Sequence, residues 1–222
     1  KTCIENILRT YTEGLCLINI MNNIRLKGII TNIQPSHEIQ GVEFNKANLI
    51  VRRSNGKEDT LNIRFKKFSN PYSDNQEVTL SGNLRSYSTR LDDGRNKVEL
   101  YVFTYFDQPE LNEDDQEYIN HLEIDGRVCK MEKLRETKSG KHNVHMILAN
   151  NLIVSEGSKK LNSYIPCIAW GNEAVELSKL PVNTKLKIIG ELHSREYKKT
   201  LPDGSFEFRV AHECVIKSFE IL

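Results

Sequence analysis

Alternating hydrophobic and polar positions dominate this chain from about residue 24 to its end. In the segment 61–66 (LNIRFK) every second residue is apolar, and the same holds for 164–170 (YIPCIAW), where Ile165, Cys167 and Ala169 form one apolar face. This period of two predicts strands with one side in a core. The turn signals LDDG (91–94) and LPDG (201–204) predict tight hairpins between neighbouring strands. Many short strands with hairpin turns favour small closed β-barrels.

The pattern occurs twice, in the same order. The segment 26–33 (LKGIITNI) parallels 124–131 (IDGRVCKM), and 74–86 parallels 182–194, an alignment that places Gly82 with Gly190. Identity between the copies is low but their order is preserved, which predicts two copies of one fold.

An acidic segment separates the copies. Residues 1–108 carry 15 Lys/Arg against 12 Asp/Glu, residues 118–222 carry 16 against 13, and residues 109–117 contain five acids and no base. Two mildly basic lobes suit a groove that follows a single strand of nucleic acid. We therefore predict an N-terminal domain at 1–106 with an extra segment at 1–22, an acidic linker at 107–117, and a C-terminal domain at 118–222.

Helical patterns are rare. Asn172–Leu180 places Ala174, Leu177 and Leu180 on one face, between the third and fourth predicted strands of the second lobe. Five-stranded OB barrels carry a helix at this position. The equivalent segment 66–77 of the first lobe is interrupted by Pro71, so we expect no helix there. The fold prediction is all-β: two tandem OB-fold, five-stranded Greek-key barrels, with a short helix in the second. An N-terminal helix within 1–14 is a further expectation, as a cap or an oligomerisation element.

Composition argues against several other classes. The five cysteines are widely spaced without a C-x-x-C motif, so we expect reduced, buried thiols and neither a disulfide framework nor a zinc site. No apolar run reaches the about 20 residues of a membrane span, and no secretory signal is visible, so a cytoplasmic location is expected. His142 and His145 fall on opposite faces of a strand, and no catalytic constellation is recognisable. We expect no enzyme, no cofactor and no metal.

Two segments carry a family resemblance. Tyr164–Tyr197, with its aromatic-Gly strand end and its Gly-x-Leu-x-x-Arg-x-aromatic strand, and Asn120–Lys141 upstream together resemble the bacterial and phage single-stranded DNA-binding protein family. The resemblance implies an OB fold, single-stranded DNA as ligand, and base stacking at Tyr164, Trp170 and Tyr197. The sequence ends at Leu222 without the family's acidic, partner-recruiting tail, which indicates either a truncated sequence or a different mode of recruitment.

Basic residues near these aromatics are candidates for phosphate contacts. In the second lobe they are Arg195, Lys198, Arg127, Lys130 and Lys141, and the first lobe adds the candidate DNA-binding residues Arg64, Arg85, Tyr87 and Arg90. Alternatives remain open: Trp170 could pack under the helix or in an interface, and the row Tyr101, Phe103 and Tyr105 could be buried rather than stack on bases. We expect the second lobe to bind more strongly and the first to be auxiliary.

The sequence thus predicts a protein that binds single-stranded DNA with little sequence preference, in replication, repair or mobile-element processing. Single-stranded RNA is an alternative ligand. A different class of function, a protein-interaction subunit of a replication or DNA-transfer complex, is the main rival. A homodimer would present four OB folds.

Overall fold

The computed structural model describes residues 21–69, 72–90, 94, 96–104, 117–152, 161–201 and 204–222. The first set of strands is β1 (Asn22–Ile39), β2 (Val42–Arg52), β3 (Glu58–Lys66), β4 (Glu77–Arg90) and β5 (Asn96–Thr104). The second set is β6 (Asn120–Met131), β7 (Arg135–Glu136), β8 (His142–Leu152), β9 (Leu161–Trp170), β10 (Lys185–Thr200) and β11 (Phe206–Ile221), with the helix α1 (Asn172–Leu177) between β9 and β10.

Each set of strands closes on itself. In the first, β1 pairs with both β2 and β4, β3 pairs with β2 and in parallel with β5, and β5 pairs with β4. In the second, β6, β8, β9, β10 and β11 pair in the same order, and the short β7 adds to β8. This closed five-stranded topology, with one parallel contact, is that of the OB fold. The predicted fold class is therefore confirmed. We call the two units barrel 1 (β1–β5) and barrel 2 (β6–β11).

The cores follow from the alternation in the sequence. In β3 the side chains of Leu61, Ile63 and Phe65 are buried, and in β9 those of Ile165, Cys167 and Ala169 are buried, as predicted. Tyr72 closes the end of the barrel 1 core with an edge-on contact to Phe65 at 5.3 Å between ring centroids. Each barrel thus buries its apolar face inward and leaves its polar strand face outward.

The helix prediction holds in position but not in length. The helix α1 spans Asn172–Leu177, buries Ala174 and Leu177, and passes into turns that bring Leu180 against the core. In barrel 1, a 3-10 turn at Lys67–Ser69 follows β3. The N-terminal helix predicted within 1–14 lies outside the described residues. Within the described part of the chain, no helix has the length and apolar composition needed to cross a membrane.

The two barrels join through their first strands. Residues 22–26 of β1 pair antiparallel with 120–124 of β6, so that Ile24 lies opposite Leu122. These two residues are equivalent: Ile24 also pairs with Gly82 of β4, and Leu122 also pairs with Gly190 of β10. An approximate two-fold axis therefore passes through the Ile24–Leu122 pair and relates the barrels.

The equivalent glycines confirm the repeat at atomic detail. A Cβ on Gly82 would collide with the carbonyl oxygen of Phe103, and one on Gly190 would collide with the carbonyl oxygen of Val215. Phe103 and Val215 are themselves equivalent, since Phe103 of β5 pairs in parallel with Arg64 of β3, and Val215 of β11 pairs in parallel with Ile168 of β9. Both positions require glycine because the backbones approach too closely for a side chain.

The burial of two side chains differs from the simple alternation of the strands. Cys129 is exposed rather than buried, because it is the extra residue of a β-bulge between Val128 and Lys130 that interrupts the alternation of β6. Alternation places Ile168 on the same face of β9 as Tyr164 and Trp170, opposite the core residues, yet it is buried there outside the core cluster. Cys167 and Cys214 are buried free thiols, as expected. The domain limits remain a prediction, since most of the acidic linker lies outside the described residues.

Candidate nucleic-acid interface

The outward surface of barrel 2 crosses four strands in the order β8, β9, β11 and β10. Tyr164 and Trp170 occupy outward positions of β9, at opposite ends of the strand, and Tyr197 occupies an outward position of β10. Tyr164 is 47% exposed and Trp170 is partly exposed. All three predicted stacking residues therefore present ring surface outside the core. The position of Trp170 is consistent with the prediction that its side chain lies on the face of β9 opposite the core residues.

Trp170 lies beside a cation. Lys141 Nζ is 5.4 Å from the centroid of the Trp170 ring. The strand ends at once after Trp170, because Gly171 adopts a positive φ of 64° and donates its backbone N–H to His142 O at 2.9 Å. This turn fixes the tryptophan at the rim of the barrel, with a lysine beside its ring.

Tyr197 lies on the long β10–β11 hairpin, with Arg195 on the same face and its guanidinium carbon 5.9 Å from the ring centroid. Arg195 also forms an ion pair with Glu213 at 3.6 Å. On the opposite face of the hairpin, Lys198 Nζ lies 3.5 Å from the Phe206 centroid. Both faces of the hairpin therefore combine a cation with an aromatic ring.

The hairpin also carries an aromatic pair that was not predicted from the sequence. Phe206 and Phe208 form an edge-on contact at 5.9 Å, and Phe208 is 71% exposed. The signal was available: two phenylalanines at alternate positions after the LPDG turn lie too far from the barrel to reach its core.

The outward surface of barrel 1 carries a denser arrangement of arginine and aromatic rings. Arg64 of β3 lies 4.2 Å from the Tyr101 centroid and 5.8 Å from the Tyr87 centroid. Arg85 of β4 lies 4.0 Å from the Phe103 centroid, and Phe103 in turn contacts Phe44 at 6.1 Å. Tyr101 and Phe103 thus take part in an outward surface on barrel 1 itself. Burial lowers the pKa of the Arg85 guanidinium.

The remaining predicted cations are more dispersed. Arg127 donates to Asn183 O at 3.1 Å, and Lys130 forms an ion pair with Glu132 at 3.5 Å. Arg90 is exposed at the end of β4. The structure therefore brings Lys141 and Arg195 to aromatic rings in barrel 2, and Arg64, Arg85 and Tyr87 together in barrel 1, but Arg127, Lys130 and Arg90 take no part in either aromatic group.

Asparagine hydrogen bonds brace each barrel at the junction, and one of them crosses to the other barrel. Equivalent asparagines of the first strands bind equivalent leucines: Asn22 exchanges two bonds of 2.8 Å with the backbone of Leu84, and Asn120 exchanges bonds of 2.7 and 2.9 Å with that of Leu192. Asn22 additionally reaches into barrel 2, where its Nδ2 donates to Asn150 Oδ1 at 2.8 Å. Because each of these side-chain amides has hydrogen-bond partners, the asparagines can lie at the junction without leaving polar atoms unsatisfied.

A buried carboxylate strengthens one side of this junction. Asp59 of barrel 1 is fully buried and receives two bonds from Arg53 at 2.7 and 2.5 Å. Its Oδ1 also accepts the backbone N–H of Ser194 from barrel 2 at 2.5 Å. His193, next to Ser194, has its pKa lowered mainly by burial. We call Arg53, Asp59 and Ser194 the clasp.

A cleft of about 800 Å³ lies between the outward faces of the two barrels. Barrel 1 contributes Asn62 and Glu99, and barrel 2 contributes Pro166, Arg195 and Tyr197. The carboxylates at its walls are paired: Glu99 with Arg64 at 3.9 Å, and Glu213 with Arg195. The cleft therefore joins the two aromatic and arginine surfaces without an excess of negative charge.

Comparison with known proteins adds a family and a fold. Residues 119–222 match the model of the Single-strand binding protein family. A deletion mutant of the single-stranded DNA binding protein from Thermus aquaticus superimposes with a TM-score of 0.67 at 18% identity, over 93% of this chain and 96% of that one. The wild-type Thermus aquaticus protein gives a TM-score of 0.64 at 17% identity, over 92% and 94%. No curated protein sequence matches the chain.

The structural likeness extends over both barrels, while the family match covers the second. Because the first barrel repeats the second strand for strand, including the glycines at 82 and 190, both units have one fold. The C-terminal barrel is thus similar to the single-strand binding protein family, and the chain carries two OB folds in tandem.

Proposed function

We propose that this chain binds single-stranded DNA with little sequence preference, and that bases stack on the outward aromatic rings while arginine and lysine side chains contact phosphates. The observation that carries the proposal is the repeated pairing of a cation with an outward ring: Trp170 with Lys141, Tyr197 with Arg195, and Tyr101 with Arg64. Rings stack on any base, and adjacent cations bind the backbone that every strand carries.

Little sequence preference follows from the chemistry of these residues. Discrimination between bases requires donors and acceptors placed against base edges, whereas these surfaces offer rings and flexible cations. The net charge of +1 for the whole chain is small, so affinity is expected to depend on stacking as well as on phosphate contacts. Protection of exposed strands in replication, repair or mobile-element processing is the role we propose, by binding and without catalysis.

Titration with oligo-dT, followed by the fluorescence of the single tryptophan Trp170, tests the proposal. We expect the fluorescence to be quenched, and the affinity to fall as salt rises with a slope of about −0.7 per phosphate contact. The absence of both quenching and salt-sensitive binding would contradict it, and would favour the protein-interaction alternative. An affinity for oligo-U equal to that for oligo-dT would extend the proposal to single-stranded RNA.

Assembly is a separate proposal. A homodimer would present four OB folds, and sedimentation at micromolar protein concentration distinguishes it from a monomer. Elution and sedimentation as a single chain would reject the dimer without affecting the DNA-binding proposal.

A further inference from the structure

The two sides of the junction between the barrels are related by the approximate two-fold axis, but their chemistry differs. On each side a serine near the end of the fourth strand of one barrel binds the third strand of the other. Ser194 of β10 accepts the backbone N–H of Thr60 at 3.0 Å, and Ser86 of β4 accepts that of Tyr164 at 2.8 Å. Thr60 and Tyr164 are therefore equivalent, as are the residues that follow the serines, Tyr87 and Arg195.

The Ser194 side is held together by polar contacts. The clasp occupies it, and His212 Nε2 lies 2.8 Å from the backbone oxygen of Thr60. Its side chains are engaged in holding the barrels together. We find no pair of exposed aromatic rings among the residues described at this side.

The Ser86 side is open and aromatic. Ser86 donates its backbone N–H to Ser163 Oγ at 3.3 Å, so the strands that carry Tyr87 and Tyr164 are bound directly to each other. Tyr87 is 54% exposed and Tyr164 is 47% exposed. The two tyrosines come from different barrels, and both point away from the cores.

The tyrosines also stand at the rim of the cleft between the barrels. Glu99, opposite Tyr87 in the β4–β5 ladder, lines the cleft, and so does Pro166, two residues after Tyr164 on the same face of β9. Arg64 connects Tyr87 to the barrel 1 surface. Exposed rings from both barrels therefore lie at this side of the junction, next to residues of the cleft that Arg195 and Tyr197 also line.

We propose that one strand of DNA passes from barrel 1 to barrel 2 over the Tyr87–Tyr164 side of the junction, with its bases stacked on these two rings. The inference rests on the proposed function and adds to it a shared binding position and a route. The cleft carboxylates Glu99 and Glu213 neutralise the charge of the arginines beside them. The route therefore favours neutral bases over phosphates. The Ser194 side carries the clasp in place of a matching pair of rings, so we place the crossing at the two tyrosines, where both barrels act on one continuous strand.

Two lengths of oligo-dT and one modified oligomer test the route. An oligomer of about 8 nucleotides falls within the range bound by one OB fold, and one of about 24 spans two. We expect two short oligomers per chain but one long oligomer per chain. A long oligomer in which the central four or so nucleotides are abasic keeps its phosphates but removes the bases over the junction. We expect it to bind at least about 5-fold more weakly, because each of the two lost stacks is worth about 5- to 150-fold in affinity.

Variants assign this loss to the tyrosines. Tyr87→Ala and Tyr164→Ala should each weaken the unmodified long oligomer about 5- to 150-fold and cause little further loss with the centrally abasic one. Tyr87→Phe and Tyr164→Phe keep the ring and should bind as the wild type does. An oligomer with its abasic residues at one end should retain the full sensitivity to the alanine variants.

The outcomes separate the inference from the proposed function. If the unmodified protein fails to bind any oligomer, the proposed function itself fails. If it binds, but takes up two long oligomers per chain, or if the alanine variants lose as much affinity for the centrally abasic oligomer as for the unmodified one, the route is wrong. The abasic comparison needs no mutation, so it remains decisive even if an alanine variant does not fold.

Discussion

The outward faces of the two barrels are built on equivalent positions and yet carry different side chains. Where barrel 1 has Arg64 between Tyr87 and Tyr101, barrel 2 has the buried Ile168 and an ion pair of Arg195 with Glu213. Barrel 2 instead places its rings at the rim, in Trp170, and on the hairpin, in Tyr197. The fold determines which face of each barrel is available for binding, whereas the positions of the aromatic rings on that face can differ between the barrels.

The surface of barrel 1 carries more cation–ring contacts than its predicted auxiliary role suggests. The sequence resemblance lies in barrel 2, so we predicted an auxiliary role for barrel 1. Its surface nevertheless holds two arginines stacked on three rings within 6 Å, more than the equivalent face of barrel 2. The equivalent positions of the two barrels provide matched controls for measuring the relative strength of the two faces.

The largest expected effect is on stability, at the clasp. Asp59→Ala removes a fully buried carboxylate and leaves Arg53 without its partner, which should lower the free energy of unfolding by about 3–5 kcal/mol. Ser163 is the equivalent position in barrel 2 and accepts one neutral hydrogen bond, so Ser163→Ala should cost about 1 kcal/mol. Urea denaturation measures both. Equal losses would show that the clasp does not hold the barrels together.

Substitution of the two closely packed glycines should lower the stability of both barrels to the same extent. In Gly82→Ala and Gly190→Ala the new methyl group collides with a carbonyl oxygen of the last strand, and each change should lower the free energy of unfolding by about 1–3 kcal/mol. Gly94, which has open space around its Cβ position, provides a contrasting site at which strain would arise from its positive φ instead. A cost confined to one of the two equivalent glycines would contradict the equivalence of the barrels.

Phosphate contacts can be compared at another equivalent pair, Arg90 and Lys198. Both are exposed near the ends of fourth strands. Arg90→Gln and Lys198→Gln should each reduce the slope of log affinity against log salt by about 0.7 while leaving the stability unchanged. An unchanged slope in one variant would show that the strand does not reach that hairpin.

The smallest expected effect is a loss of folding stability at acidic pH. Burial is the main reason that the pKa of His193 lies below its ordinary value of 6.5, and the nearby Arg53 lowers it while Asp59 and Glu191 oppose the shift. A lowered pKa in the folded state stabilises the fold above about pH 6.5, and this contribution is lost as the pH falls below that value. The equivalent position in barrel 1 is Arg85, which does not titrate in this range.

Urea midpoints at about pH 7.5 and 5.5 measure this effect. The wild type should lose stability over this interval, and His193→Gln should lose less. An equal loss in the two proteins would assign the acid sensitivity to other groups.

Local pattern predicted the fold well because strand alternation and close-packed glycines are encoded by neighbouring residues. The core faces of β3 and β9 and the equivalence of Gly82 and Gly190 followed from the sequence. Cys129 was misplaced because a bulge adds one residue and reverses the alternation. The burial of Ile168 was not predicted because period two separates the two faces of a strand but does not reveal that the outward face is also covered.

The site was less predictable because it depends on contacts between distant segments. Arg53 and Asp59 meet Ser194 from the other barrel, and Tyr87 and Tyr164 meet through Ser86. These pairs are separated by more than 70 residues, and their side chains show no periodicity that links them. The sequence could suggest Tyr87 and Tyr164 individually but could not place them at one junction.

The central claim, that both outward faces bind one strand, is tested most directly by comparing two matched double variants on a long oligo-dT. Arg64→Ala with Tyr101→Ala alters the face of barrel 1, and Trp170→Ala with Tyr197→Ala alters that of barrel 2. Fluorescence anisotropy of the labelled oligomer measures both affinities. We predict that each folded variant loses about 1–3 kcal/mol of binding free energy per stack removed. If either variant binds with the wild-type affinity, that barrel does not bind DNA and the account is contradicted.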